Sequence, residues 1–158
     1  MRTVALVLAA CVTAASLGCV RVARDPATGN ADIDVENPMK SGELWKATLA
    51  GRAGWTGASG TANARIEGDN TMTTLVLTGL PQGGPYPWHV HEGTCDTGGP
   101  IVGPANAYPH LTVGADGRAE ASARLLGLKL NEAKKYHVNV HRSPTDLPTI
   151  VACGELDD

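Results

Sequence analysis

At 158 residues, with 13 Lys and Arg against 16 Asp and Glu and a formal net charge of −3, the chain has room for one small domain beyond its leading segment and not for two. No basic run interrupts this balance, which argues against nucleic acid as a partner. Phe is absent, while 19 Gly and 10 Pro break up helix-length apolar patterns and favour short strands joined by turns.

The N-terminus has Arg2, an apolar run from Val4 to Val12, and small residues up to Gly18. That is the layout of an export signal over residues 1–18, too short and too Ala-rich for a membrane span. Ser16-Leu17-Gly18-Cys19 resembles a bacterial lipobox with an atypical first position, which makes Cys19 the expected lipidated N-terminus and the membrane a partner through that anchor. An ordinary secretory signal cleaved nearby is the alternative. Residues 20–41 are polar and turn-rich (Asp25-Pro26, Gly29-Asn30, Glu36-Asn37-Pro38) and read as a flexible tether.

Residues 42–158 then form the domain. Ala62, Ala64 and Ile66 alternate with Asn63, Arg65 and Glu67, and Ala119, Ala121, Ala123 and Leu125 alternate with Glu120, Ser122 and Arg124, as half-buried strands with small inward side chains would. Turn residues stand between strands at Gly68-Asp69-Asn70 and Asp116-Gly117. The expected strands are Glu43–Ala50, Gly60–Glu67, Thr71–Thr78, Pro87–His91, Arg118–Leu125, Tyr136–His141 and Thr149–Gly154, with a short helical turn within Leu126–Lys135. Such a series implies an all-β Greek-key barrel or sandwich.

Of four cysteines, Cys11 lies in the signal and Cys19 at the lipid site, so Cys95 and Cys153 alone lie in the domain. Two cysteines in an exported domain suggest one disulfide, with a metal-binding pair as the alternative. All five histidines, His89, His91, His110, His137 and His141, lie in the second half of the chain. In His89-Val90-His91 and in His137-Val138-Asn139-Val140-His141 the rings share one strand face and the valines the other. If the valines fill the interior, the rings point outward beneath loops, where imidazole nitrogens could hold a transition metal.

Leu77-Thr78-Gly79-Leu80-Pro81 followed by Trp88-His89-Val90-His91-Glu92-Gly93 resembles the copper-strand motif of copper/zinc superoxide dismutases. Val138-Asn139-Val140-His141 resembles that family's late copper-ligand strand, and Val151-Ala152-Cys153-Gly154 its Ala-Cys-Gly ending. The resemblance implies a superoxide dismutase-type barrel with copper on His89, His91 and His141, a Cys95–Cys153 disulfide and superoxide as substrate. Gly99-Pro100-Ile101 stands where the family has Gly-Pro-His, so the histidine bridging copper and zinc is missing. His110 and His137 cannot supply three zinc ligands, and zinc is not expected; either is a candidate fourth copper ligand.

Ile150 replaces the family's active-site Arg, and Arg142 is the candidate substitute for steering the anion. The implied activity is copper-dependent dismutation of superoxide in the periplasm or cell envelope. Two other readings stay open. One is a copper-binding or storage module without turnover, and the other is a structural surface domain, since His91-Glu92-Gly93 through Gly98-Gly99-Pro100-Ile101-Val102 also resembles chordin-type (CHRD) domains.

Overall fold

The computed structural model describes residues 20–24, 31–35, 44–52 and 54–157; the signal and lipid-anchor expectations, Cys19 included, lie outside them. The chain divides into two units, Met1–Lys40 and Ser41–Asp158. In the first, Val20–Arg24 (β1) and Ala31–Val35 (β2) pair antiparallel, with Val20 opposite Val35 and Val22 opposite Ile33. Regular structure thus occurs inside the segment read as a tether, at positions where β-branched residues favour extended backbone.

The second unit is all β apart from one short turn of 3-10 helix at Ala105–Ala107. Its strands are β3 (Leu44–Gly51), β4 (Ser59–Glu67), β5 (Asn70–Thr78), β6 (Gly83–Tyr86), β7 (Trp88–Glu92), β8 (Leu111–Val113), β9 (Arg118–Leu125), β10 (Tyr136–Ser143) and β11 (Asp146–Leu156). Seven form one antiparallel sheet in the order β7-β10-β11-β3-β4-β5-β9. The β6–β8 ribbon lies apart, with β6 against β10 and β8 against β9. The sheet curls so that this ribbon spans its two ends, an arrangement consistent with a barrel or sandwich.

Two short strands, β6 and β8, were not expected; three of the four residues of β6 are glycine or proline, and it carries no alternation to read. The helical turn expected within Leu126–Lys135 is absent. Gly127 takes a positive φ there, and the Asn131 side chain accepts the Ala133 amide at 2.9 Å, a local turn that competes with helix.

The core explains the small inward residues. Leu75 and Leu77 on β5 are fully buried. Leu75 stands opposite Ala62 on β4 and Ala121 on β9, and Leu77 opposite Gly60 and Ala119. Large side chains on the middle strand occupy the room that their neighbours leave. Because alanines cannot reach into a vacated space, Leu75→Ala should destabilise the domain by about 2–5 kcal/mol, toward the upper end of that range. Denaturant unfolding measures it, and an unshifted midpoint would contradict this packing.

Candidate metal centre

β7 and β10 pair with Val90 opposite Val138 and Trp88 opposite Val140, and all four are fully buried. The same register sets His91 opposite His137 and His89 opposite Asn139, on the opposite face. His141 continues this face, its amide donating to the Pro87 carbonyl at 2.8 Å. Between Val140 and His141 the pairing with β11 skips from Ala152 to Ile150, a bulge of the kind that redirects a side chain next to a site. Although outward-facing, His89, His91, His137 and His141 are all buried.

Hydrogen bonds select the lone pairs. His91 Nδ1 lies 2.9 Å from the Gly99 carbonyl and His141 Nδ1 lies 2.6 Å from the Leu147 carbonyl. A carbonyl only accepts, so each Nδ1 carries the proton and each Nε2 keeps a lone pair. His91 Nε2 is buried without any partner. His141 Nε2 lies 3.1 Å from His89 Nδ1, which donates to it in the absence of metal and can release that proton to bind one. One nitrogen each from His89, His91 and His141 lies within 4.8 Å of the others.

A transition ion with metal–nitrogen bonds of about 2 Å can be held by this set after small ring rotations. The unpartnered His91 nitrogen is the atom such an ion would satisfy. Gly99 is required for this arrangement: a Cβ there would stand 2.0 Å from the Glu92 carbonyl oxygen, so any side chain would displace the loop whose carbonyl orients His91.

Burial also keeps the rings neutral. His89 is pushed down to about 4, first by burial and then by His141, His91 and His110. Burial lowers His91 and His141 as well, opposed by the Gly99 and Leu147 carbonyls respectively. Neutral imidazoles at neutral pH are the form that binds metal.

The other expected site residues sit outside this triad. His137 is fully buried, stacked on His91 with ring centroids 5.2 Å apart, and its Nε2 faces Asn139 Nδ2 at 3.2 Å. Burial lowers its pKa too; the Gly93 carbonyl is close enough to oppose the shift but forms no well-shaped hydrogen bond with Nδ1. His110 is exposed and does not join the cluster, although its charge is felt at His89. Arg142 is 60 % exposed and pairs with Asp146 at 3.3 Å.

Cys95 and Cys153 are joined as a disulfide, which replaces the metal-binding alternative. Cys153 is paired with Asn139 of β10, so the bridge ties the loop after β7 to the histidine-bearing wall. The Arg52 guanidinium donates to the Cys95 carbonyl at 2.9 Å, and the Cys95 amide donates to Glu155 at 2.8 Å.

Sequence reading passed over Asn139, Tyr108 and Gly99 as site residues. Tyr108 packs edge-on to His89 with centroids 5.3 Å apart, and its hydroxyl donates to the Val102 carbonyl at 2.7 Å. Trp88 Nε1 donates to the Pro109 carbonyl at 2.7 Å, which fastens the same loop to β7. An Asn between two core valines was the available signal for Asn139; nothing local marked the other two.

Reducing the disulfide, which closes a 58-residue separation, should cost about 4 kcal/mol of stability on the chain-entropy estimate, read as a lower thermal midpoint. The pH dependence follows from the lowered imidazoles. Below the ordinary 6.5 the unfolded chain takes up protons that the folded one refuses. Metal-free protein should therefore be most stable above pH 6.5 and lose stability as pH falls toward about 4, the His89 value. A flat profile of unfolding midpoint across that window would contradict the burial of these rings. No protein-family model matches the chain and no curated protein matches it either, so any functional assignment stands on the site itself.

Proposed function

We propose that the Ser41–Asp158 domain binds one copper ion through His89 Nδ1, His91 Nε2 and His141 Nε2 and dismutates superoxide to oxygen and hydrogen peroxide in the cell envelope. The observation that carries this reading is the convergence of three neutral imidazoles, in two of which, His91 and His141, a backbone carbonyl selects the free nitrogen. An all-imidazole donor set suits copper, which lies at the top of the divalent affinity order. The resemblance of the His89–His91 and Val138–His141 segments to the copper strands of superoxide dismutases supports the choice of metal and the assignment to that superfamily.

When bound, copper supplies two accessible valences, so that one superoxide gives up an electron and a second superoxide, with two protons, receives it. The chain's own residues hold and orient. Gly99 and Leu147 fix the ring rotations of His91 and His141, Tyr108 covers one side of His89, and three protein donors leave a coordination position open. The disulfide is consistent with an oxidising, extracytoplasmic compartment, as is the resemblance of residues 1–19 to an export signal with a lipobox.

One observation bears on a binding module without turnover as second reading: Arg142, the candidate for drawing in the anion, is engaged with Asp146. Copper loading of the full chain, followed by metal stoichiometry and superoxide decay, decides between the two. One copper per chain with catalysed decay supports the dismutase, one copper without decay the binding module, and no copper removes both. His89→Ala and His141→Ala should each lower copper affinity by more than the roughly 10- to 100-fold typical of losing a supporting group. Undiminished copper retention against a chelator in either variant would reject the triad.

A further inference from the structure

We propose that Asn139 provides the metal pocket with its hydrogen-bond acceptor. Its Oδ1 receives the proton of a water, or of a protonated oxygen species, held at the position the three imidazoles leave open. This role depends on the triad binding copper as described above, and it assigns a residue that none of the ligand arguments uses.

Asn139 occupies a place that strand chemistry disfavours. It lies between Val138 and Val140, opposite His89 on β7 and Cys153 on β11, and two residues from both His137 and His141. Three imidazoles therefore flank it on one face, and it is only 8 % exposed. Nδ2 donates to His137 Nε2 at 3.2 Å, which orients the amide, while Oδ1 is buried with no partner. A buried carbonyl left unsatisfied is destabilising, a cost that a leucine or valine at this position would avoid.

Among the described residues, the buried side-chain polar atoms without a partner are His91 Nε2, His137 Nδ1 and Asn139 Oδ1; the first is a metal donor and the second carries the ring proton when Nε2 accepts from Asn139, so Oδ1 is the acceptor left over. The Gly99 and Leu147 carbonyls are taken by the imidazole N–H groups, and the remaining imidazole lone pairs belong to the metal. Asn139 thus complements a proton-bearing ligand on the ion. His137, stacked on His91 and bonded to the Asn139 amide, acts as a positioning residue for both.

The test uses copper-loaded full-length chain and azide, followed through the visible and paramagnetic-resonance spectra of Cu(II). Azide displaces coordinated water and has no proton to give Oδ1. Asn139→Leu removes the acceptor at nearly constant volume, so water is held less well and azide should bind about fivefold tighter, the equivalent of one hydrogen bond of about 1 kcal/mol. Asn139→Asp keeps an acceptor and adds negative charge, so azide should bind more weakly than in the wild type.

A purely structural Asn139 would change copper retention without this opposite ordering of azide affinities. Unchanged azide affinity in copper-loaded Asn139→Leu overturns the role. If that variant fails to hold copper, azide affinity in Asn139→Asp equal to the wild type overturns it instead. Wild-type chain that takes up no copper brings down the functional reading first and this role with it, an outcome distinct from copper uptake with unaltered azide binding.

Discussion

The register between β7 and β10 is the constraint from which the centre follows. Pairing Val90 with Val138 sends the valines into the core and leaves His89, His91, His137, Asn139 and His141 on one outer face. Side chains alternate with period two, so slipping this pair by one residue would drive four imidazoles into an apolar interior and strip the wall of its valines. Burial of Trp88, Val90, Val138 and Val140 therefore holds the fold together and aligns the candidate metal-holding histidines at the same time. The bulge at His141 adds the last adjustment, letting that ring face His89 even though its pairing with β11 has shifted.

A second layer converts proximity into chemistry. Imidazoles near one another do not make a site unless the correct nitrogens face inward, and here two backbone carbonyls set that choice for His91 and His141. Both carbonyls must themselves be held in place. The loop bearing Gly99 is anchored by the Cys95–Cys153 bridge and by backbone bonds from Glu92 to Pro100 and from Val102 to Val90. Leu147 lies on β11, tied to β10 by the hairpin itself. The loop-fastening bonds of Trp88 and Tyr108 support His89 in the same manner. Ligand geometry, loop anchoring and stability are thus coupled through few residues.

Covering an outward-facing wall also has an electrostatic result. Water around exposed imidazoles would let them protonate near neutrality, whereas burial beneath loops lowers all four. Mutual repulsion acts in the same direction for His89. The wall is consequently poised for a cation rather than for protons over the neutral range.

Much of this was legible in the chain. Alternation at Ala62–Ile66 and Ala119–Leu125 revealed β4 and β9, and the two His/Val stretches revealed which side chains share a face, because period-two geometry is local and survives in the order of residues. The identities of His89, His91 and His141 as a group, and of Cys95 and Cys153 as a pair, were also within reach. Strands β6 and β8 were not, since a strand of Gly and Pro or one of three residues has too little pattern to distinguish it from a loop.

Nor could the residues alone separate His137 and His110 from the triad, give Gly99 and Leu147 their roles, or show Arg142 paired with Asp146. Those distinctions depend on which backbone carbonyl meets which ring nitrogen across many residues of intervening chain. The sequence by itself determined which side chains face together; only the tertiary structure decided which nitrogens meet, because ring rotation and loop closure are set by contacts between distant segments.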